Sequence, residues 1–152
     1  MPLIKPSFLK ELSPVENAEY LSYCYNCGAC VGDCPAARYN PAFNPRKIVQ
    51  LTLLGLTESL LKEDSVLFAC TTCFTCYERC PQSVRPIEVI TALKNILFSK
   101  GHCPKEILEV SKNVLKTGRA VLVSAATNSR RQKFRLGESP IVSIEELKKI
   151  LG

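Results

Sequence analysis

The sequence predicts an all-α fold organised around two cysteine-rich loops. Helix start and stop signals recur through residues 13–118, and apolar residues there recur at helical spacing with little strand-like alternation. One cysteine run occurs twice, as Cys24-x-x-Cys27-x-x-Cys30-x-x-x-Cys34-Pro35 and as Cys70-x-x-Cys73-x-x-Cys76-x-x-x-Cys80-Pro81. The 35 residues between the runs read as mostly helical.

The elements follow in chain order. Residues 1–12 read as an N-terminal arm. Ser13 caps a helix, with Pro14 at its first position and Glu16 completing a capping box; it runs to about Ser22 and feeds the first run. The segment from Cys34 to Asn44 contains Pro35 and Pro41 and reads as loop. Asn44-Pro45 caps and opens a largely buried helix with Ile48, Val49, Leu51, Leu53 and Leu54, ending at Gly55. Thr57 opens a short helix through Lys62. Pro86 starts the next, with Ile87, Ile90, Leu93, Ile96 and Leu97 at helical spacing and Gly101 as its stop. Pro104 starts another, with Ile107, Leu108, Val110 and Leu115 apolar and Gly118 beyond it.

Residues 13–118 thus form one helical domain. Residues 119–152 read as a mostly irregular, basic extension, expected to dock on a partner. Within it Ala120–Val123 is a short extended candidate, and residues 128–140 are polar, basic and expected to order against a partner. Ser143 to Glu146 form a capping box that opens a last short helix.

The charge supports this division. Residues 1–118 hold 13 Lys and Arg against 11 Asp and Glu, whereas residues 119–152 hold 7 against 3. The basic balance therefore belongs to the tail and says little about nucleic acid. No apolar stretch approaches the ~20 residues of a membrane-spanning helix; Ile48 to Leu61 is broken by Gln50, Gly55 and Glu58. The N-terminus has no apolar signal-peptide core, so a cytoplasmic location is expected. Nine cysteines in an unexported chain argue for metal rather than disulfides.

The spacing identifies the metal. Cys-x-x-Cys-x-x-Cys lets a tight loop turn three sulfurs towards one cubane iron–sulfur cluster. The fourth cysteine lies too far along to close the same cube, and in paired motifs of this kind it ligates the other cluster. The expected ligands are Cys24, Cys27, Cys30 and Cys80 for one [4Fe-4S] cluster, and Cys70, Cys73, Cys76 and Cys34 for the other. The swap holds the clusters close, as electron tunnelling requires. Structural zinc usually takes two Cys-x-x-Cys pairs, which does not explain three closely spaced cysteines and a fourth before proline, twice. Together these features predict an α-helical ferredoxin domain.

Tyr23, Tyr25, Phe68, Phe74 and Tyr77 surround the runs and are read as shielding. Cys103, the ninth cysteine, lies beside the only histidine, His102; packing is preferred over a nucleophilic role. Arg130, Arg131, Lys133 and Arg135 suit docking on an acidic partner protein better than nucleic acid, since only Phe134 interleaves them. There is no Gly-x-Gly-x-x-Gly fingerprint and no adjacent Cys-Cys pair, and no catalytic residues are identified.

The string Cys70-Thr71-Thr72-Cys73-Phe74-Thr75-Cys76-Tyr77-Glu78-Arg79-Cys80-Pro81 closely resembles the C-type iron–sulfur component of heterodisulfide reductase. So does the first run, with Arg46-Lys47-Ile48-Val49 and Leu54-Gly55-Leu56 following; the similarity covers about residues 14 to 118. The resemblance implies a non-catalytic electron relay between a flavin- and cluster-bearing A-type subunit and a B-type subunit with Cys-Cys-Gly motifs, without nucleic acid or membrane insertion. Two other readings are open. One is the iron–sulfur subunit of a glycolate, glycerol-phosphate or succinate/fumarate oxidoreductase. The other is a cluster-bearing sensor that binds nucleic acid through the tail.

Overall fold

The computed structural model describes residues 7, 8, 12, 18–139 and 143–151. The described residues form helices and turns, with no strand. They divide into two compact units, Met1–Cys103 and Pro104–Gly152.

In the first unit the helix expected from Ser13 begins outside the described residues, and a 3-10 helix over Ala18–Tyr23 leads into the first cysteine run. Next come α1 (Ala29–Gly32), α2 (Pro35–Tyr39) and α3 (Pro45–Leu53). The segment read as loop after Cys34 is therefore partly helical. Pro35 sits at the first helical position, where its missing N–H costs nothing, and Cys34 Sγ accepts the Ala37 N–H at 3.5 Å. Asn44 caps α3 as expected, its Oδ1 accepting the Lys47 N–H at 3.0 Å.

The helix expected from Thr57 to Lys62 is instead one turn. Leu60 and Leu61 N–H both bond Thr57 O, and the chain then bends at Asp64, φ 54°. A 3-10 helix over Val66–Ala69, capped by Ser65, leads into the second run. After it come α4 (Thr75–Glu78) and α5 (Pro86–Ser99). The end of α5 is closed by His102 N–H on Leu97 O and Gly101 N–H on Phe98 O, with Gly101 at φ 76°. This paired closure needs a left-handed residue, which glycine supplies without Cβ strain.

The core lies between α3 and α5. Ile48 and Val49 from α3 join Ile90, Leu93 and Leu97 from α5, each at most 2 % exposed. Phe43, Leu21 and Leu67 pack in the same core. Burying each such side chain is worth about 1.5–3 kcal/mol, so these two helices form the scaffold from which the cysteine loops hang. Two buried hydroxyls are satisfied within it: Thr52 Oγ1 donates to Ile48 O at 2.8 Å and Ser65 Oγ to Leu60 O at 2.5 Å.

The second unit contains α6 (Lys105–Thr117), α7 (Ala125–Lys133) and α8 (Ile144–Leu151), with α6 packed on α8. Neither α6 nor α7 buries a residue fully. Ala120–Val123 forms no strand, and α7 occupies part of the segment expected to order only against a partner. Ser124 explains the start of this helix: its Oγ accepts the Thr127 N–H at 3.2 Å, and the good helix formers Arg130, Arg131, Gln132 and Lys133 carry its second half. Ser143 likewise accepts the Glu146 N–H, as the capping box predicts. No helix among the described residues is long and apolar enough to cross a membrane.

Candidate metal centres

The two cysteine runs fold as near-copies. In the first, Asn26 and Gly28 take left-handed φ of 64° and 85°; at the matching positions of the second, Thr72 and Phe74 take 54° and 60°. The backbone bonds repeat as well. Val31 and Gly32 N–H bond Gly28 O at 2.9 and 3.2 Å, and Tyr77 and Glu78 N–H bond Phe74 O at the same two distances. Cys34 N–H bonds Val31 O, and Cys80 N–H bonds Tyr77 O. Two left-handed residues bend each loop before a single helical turn begins, and the first three cysteines of each run border one cavity. α1 and α4, the turns so formed, pack on each other. Asp33 and Arg79, also at matching positions, form an ion pair at 2.8 Å across the two copies.

Two cavities lie beneath the loops. One is lined by Cys24, Cys27, Cys30 and Cys80. The other is lined by Cys34, Cys70, Cys73 and Cys76. Each cavity therefore collects three cysteines from one run and the fourth from the other. Cys103 lines neither, and it is half-buried. Of the aromatic residues around the runs, Tyr25 borders the first cavity and Phe74 the second; both remain about half exposed.

The chemistry of the cavities asks for a metal. Burial, and then Cys24 and Cys27, push the Cys30 thiol up to about 11. Burial, and then Cys70, Cys30, Cys34 and Cys73, push Cys76 up to about 12. Four thiolates confined together repel one another, and a cationic centre removes that repulsion. Cys73 moves the other way: it is exposed, and hydrogen bonds from the Thr75 side chain and backbone pull its pKa down. A single zinc gathers four ligands at about 2.3 Å around one ion. A cubane instead takes each thiolate at a separate corner, so four cysteines spaced around a cavity fit it.

The surroundings supply donors to the sulfurs. Gln50 Nε2 lies 3.6 Å from Cys24 Sγ, and Val84 N–H lies 3.3 Å from Cys80 Sγ. Ala37 N–H points at Cys34 Sγ; the Cys73 thiol donates to Thr75 Oγ1 at 3.4 Å, a hydroxyl that turns donor to the thiolate. Arg46 borders the first cavity. Lys94 donates to Cys70 O at 3.2 Å, with its ammonium 5.9 Å from the Phe68 ring centre. Neither Gln50 nor Lys94 is conspicuous in the sequence, because both lie on helices tens of residues from the cysteines they reach. No local pattern in the sequence marks either of them.

Comparison with known proteins agrees with this chemistry. The 4Fe-4S dicluster domain family matches residues 20–84. The C-type iron–sulfur component of the CoB–CoM heterodisulfide reductase of Methanopyrus kandleri is 37% identical, over 98% of this chain and 88% of that protein. The C2 component of the H2/formate:CoB-CoM heterodisulfide,ferredoxin reductase of Methanococcus maripaludis is 39% identical, over 83% of this chain and 67% of that protein. A protein of Archaeoglobus profundus, named as similar to the C-type component of heterodisulfide reductase, is 34% identical, over 94% and 76%. The twin runs inside the matched domain hold two [4Fe-4S] clusters, and the fold is that of an all-α ferredoxin-like protein. By its cysteine runs, its helical fold and its similarity along nearly the whole chain, the protein belongs to the family of C-type iron–sulfur components of heterodisulfide reductase.

Proposed function

We propose that the chain relays electrons between an A-type, flavin-bearing subunit and a B-type, Cys-Cys-Gly subunit of a heterodisulfide reductase-like complex. Cys24, Cys27, Cys30 and Cys80 hold one cluster; Cys70, Cys73, Cys76 and Cys34 hold the other. The observation that carries this reading is the pair of four-cysteine cavities, each completed by a cysteine from the other run. Crossed ligation ties both clusters into one rigid unit, which suits tunnelling from one to the other. One ligand of each set, Cys27 and Cys73, is exposed, so each cluster has an edge open to a partner.

The helical domain of residues 13–118 carries the relay, and the basic extension 119–152 docks on a partner. The cytoplasm, where thiols stay reduced, suits these cysteines. Bound clusters supply one-electron transfer; the chain's own residues hold them, shield them and set their potentials. Anaerobic purification of the complex from its native source tests the proposal. The expected result is co-purification with a flavin–cluster subunit and a Cys-Cys-Gly subunit, and about eight irons per chain. A dehydrogenase flavoprotein without any Cys-Cys-Gly subunit would overturn the relay reading.

A further inference from the structure

We propose that Gln50 and Arg46 of α3 are positioning residues that hold up the reduction potential of the cluster ligated by Cys24. The two residues are four apart and so share a helix face. Val49, beside Gln50, also borders the first cavity and is 1 % exposed. Gln50 is half-buried and presents its amide Nε2 to Cys24 Sγ at 3.6 Å. Arg46, also half-buried, borders the same cavity. A Cβ built on Gly28 would meet Arg46 Nη1 at 3.6 Å, so the guanidinium lies against the loop itself.

Reduction adds one electron, and with it one negative charge, to this cavity; no bond is made or broken. A side-chain N–H on a ligand sulfur favours the more negative state, because hydrogen bonds to charged acceptors strengthen with charge. A nearby guanidinium does the same through space, more so where protein displaces water. The second cavity is furnished differently. There the Thr75 hydroxyl lies near the exposed Cys73, and Lys94 reaches the Cys70 carbonyl rather than a sulfur. The α3 pair therefore acts on one cluster, and the other serves as an internal control.

The inference rests on Cys24 being a cluster ligand, and not on the identity of the partners. The test is an EPR-monitored dithionite titration of the full chain loaded anaerobically with iron and sulfide. The signal of the Cys24 cluster is identified as the one that Cys27→Ser alters. Gln50→Leu is expected to lower that midpoint by about tenfold in the reduction equilibrium constant, 59 mV for one electron, with the second midpoint unmoved. Gln50→Lys, which keeps a donor and adds charge, is expected to raise it, and gives the sign of the effect even where the leucine variant loads poorly. Arg46→Gln is expected to lower it by less, with an effect that shrinks as salt is added. Unmoved midpoints in Gln50→Leu and Gln50→Lys, or equal movement of both clusters, would overturn the inference. An unaltered iron content in Cys24→Ala would instead remove the ligand assignment beneath it.

Discussion

The first and second cysteine loops trace one backbone path with different residues. At the second left-handed position the first loop has Gly28 and the second has Phe74. Glycine adopts φ 85° freely, whereas a side chain there costs about 1–2 kcal/mol. Phe74 sets contacts against that cost. Its ring meets Tyr77 edge-on at 6.4 Å, Tyr77 carries the Arg85 guanidinium at 5.1 Å, and Phe74 borders the second cavity. Aromatic pairs and cation–π contacts are each worth about 0.5–1.5 kcal/mol, which is comparable with the strain. Two different residues thus hold the same left-handed turn. Local chemistry then decides whether freedom or packing supports it.

The largest expected effects come from the helices behind the loops. Ile90 borders the second cavity at 0 % exposure, and Ile90→Ala should cost about 2–5 kcal/mol. Val49 borders the first, and Val49→Ala, which removes less side chain, should cost less. Denaturant titration followed by loss of the visible cluster absorbance reads both. Equal costs would mean that the two loops do not lean on their helices as described.

The loop contrast itself predicts a smaller, asymmetric response. Gly28→Ala should destabilise by about 1–2 kcal/mol through its φ. Phe74→Gly should destabilise less than Phe74→Ala, because glycine relieves the strain while both variants lose the ring. Thermal unfolding of the loaded chain decides it, and the reverse order for the Phe74 pair would show that no strain is held there.

Weaker still is the tie between the loops. Asp33 and Arg79 side chains are 53% and 65% exposed, so Asp33→Asn should cost less than about 1 kcal/mol and lose its effect in high salt. The smallest effect concerns rates in the cluster-free chain. The thiolate is the reactive form, so a lowered pKa speeds alkylation and a raised one slows it. At pH 8 Cys73 should alkylate first and Cys76 last, with Cys76 accelerating as pH climbs towards about 12. Peptide mass mapping across pH reads the order; Cys76 reacting ahead of Cys73 would contradict it.

Much of this was legible in the residues. The twin runs announce cluster loops, Asn44-Pro45 announces α3, and Pro86 with Gly101 brackets α5, because caps and stops are local chemistry. Where local signals conflict, reading fails. Pro35 looks like a breaker but opens α2, since the N1 position needs no N–H. The polar composition around Asn128 hid α7, whose start depends on the single cap Ser124. The long-range donors around the cysteines could not be read at all. Gln50 meets Cys24 across 26 positions, and Lys94 meets Cys70 across 24, through packing that no local pattern encodes.

Crossed ligation is tested most directly by removing one exchanged cysteine at a time. In Cys34→Ala, anaerobically loaded and examined by EPR and iron analysis, the cluster held by Cys70, Cys73 and Cys76 should be lost or converted, while that held by Cys24, Cys27 and Cys30 keeps its signal. Cys80→Ala should do the opposite. Damage confined to the cluster of the mutated run, in either variant, would contradict the exchange.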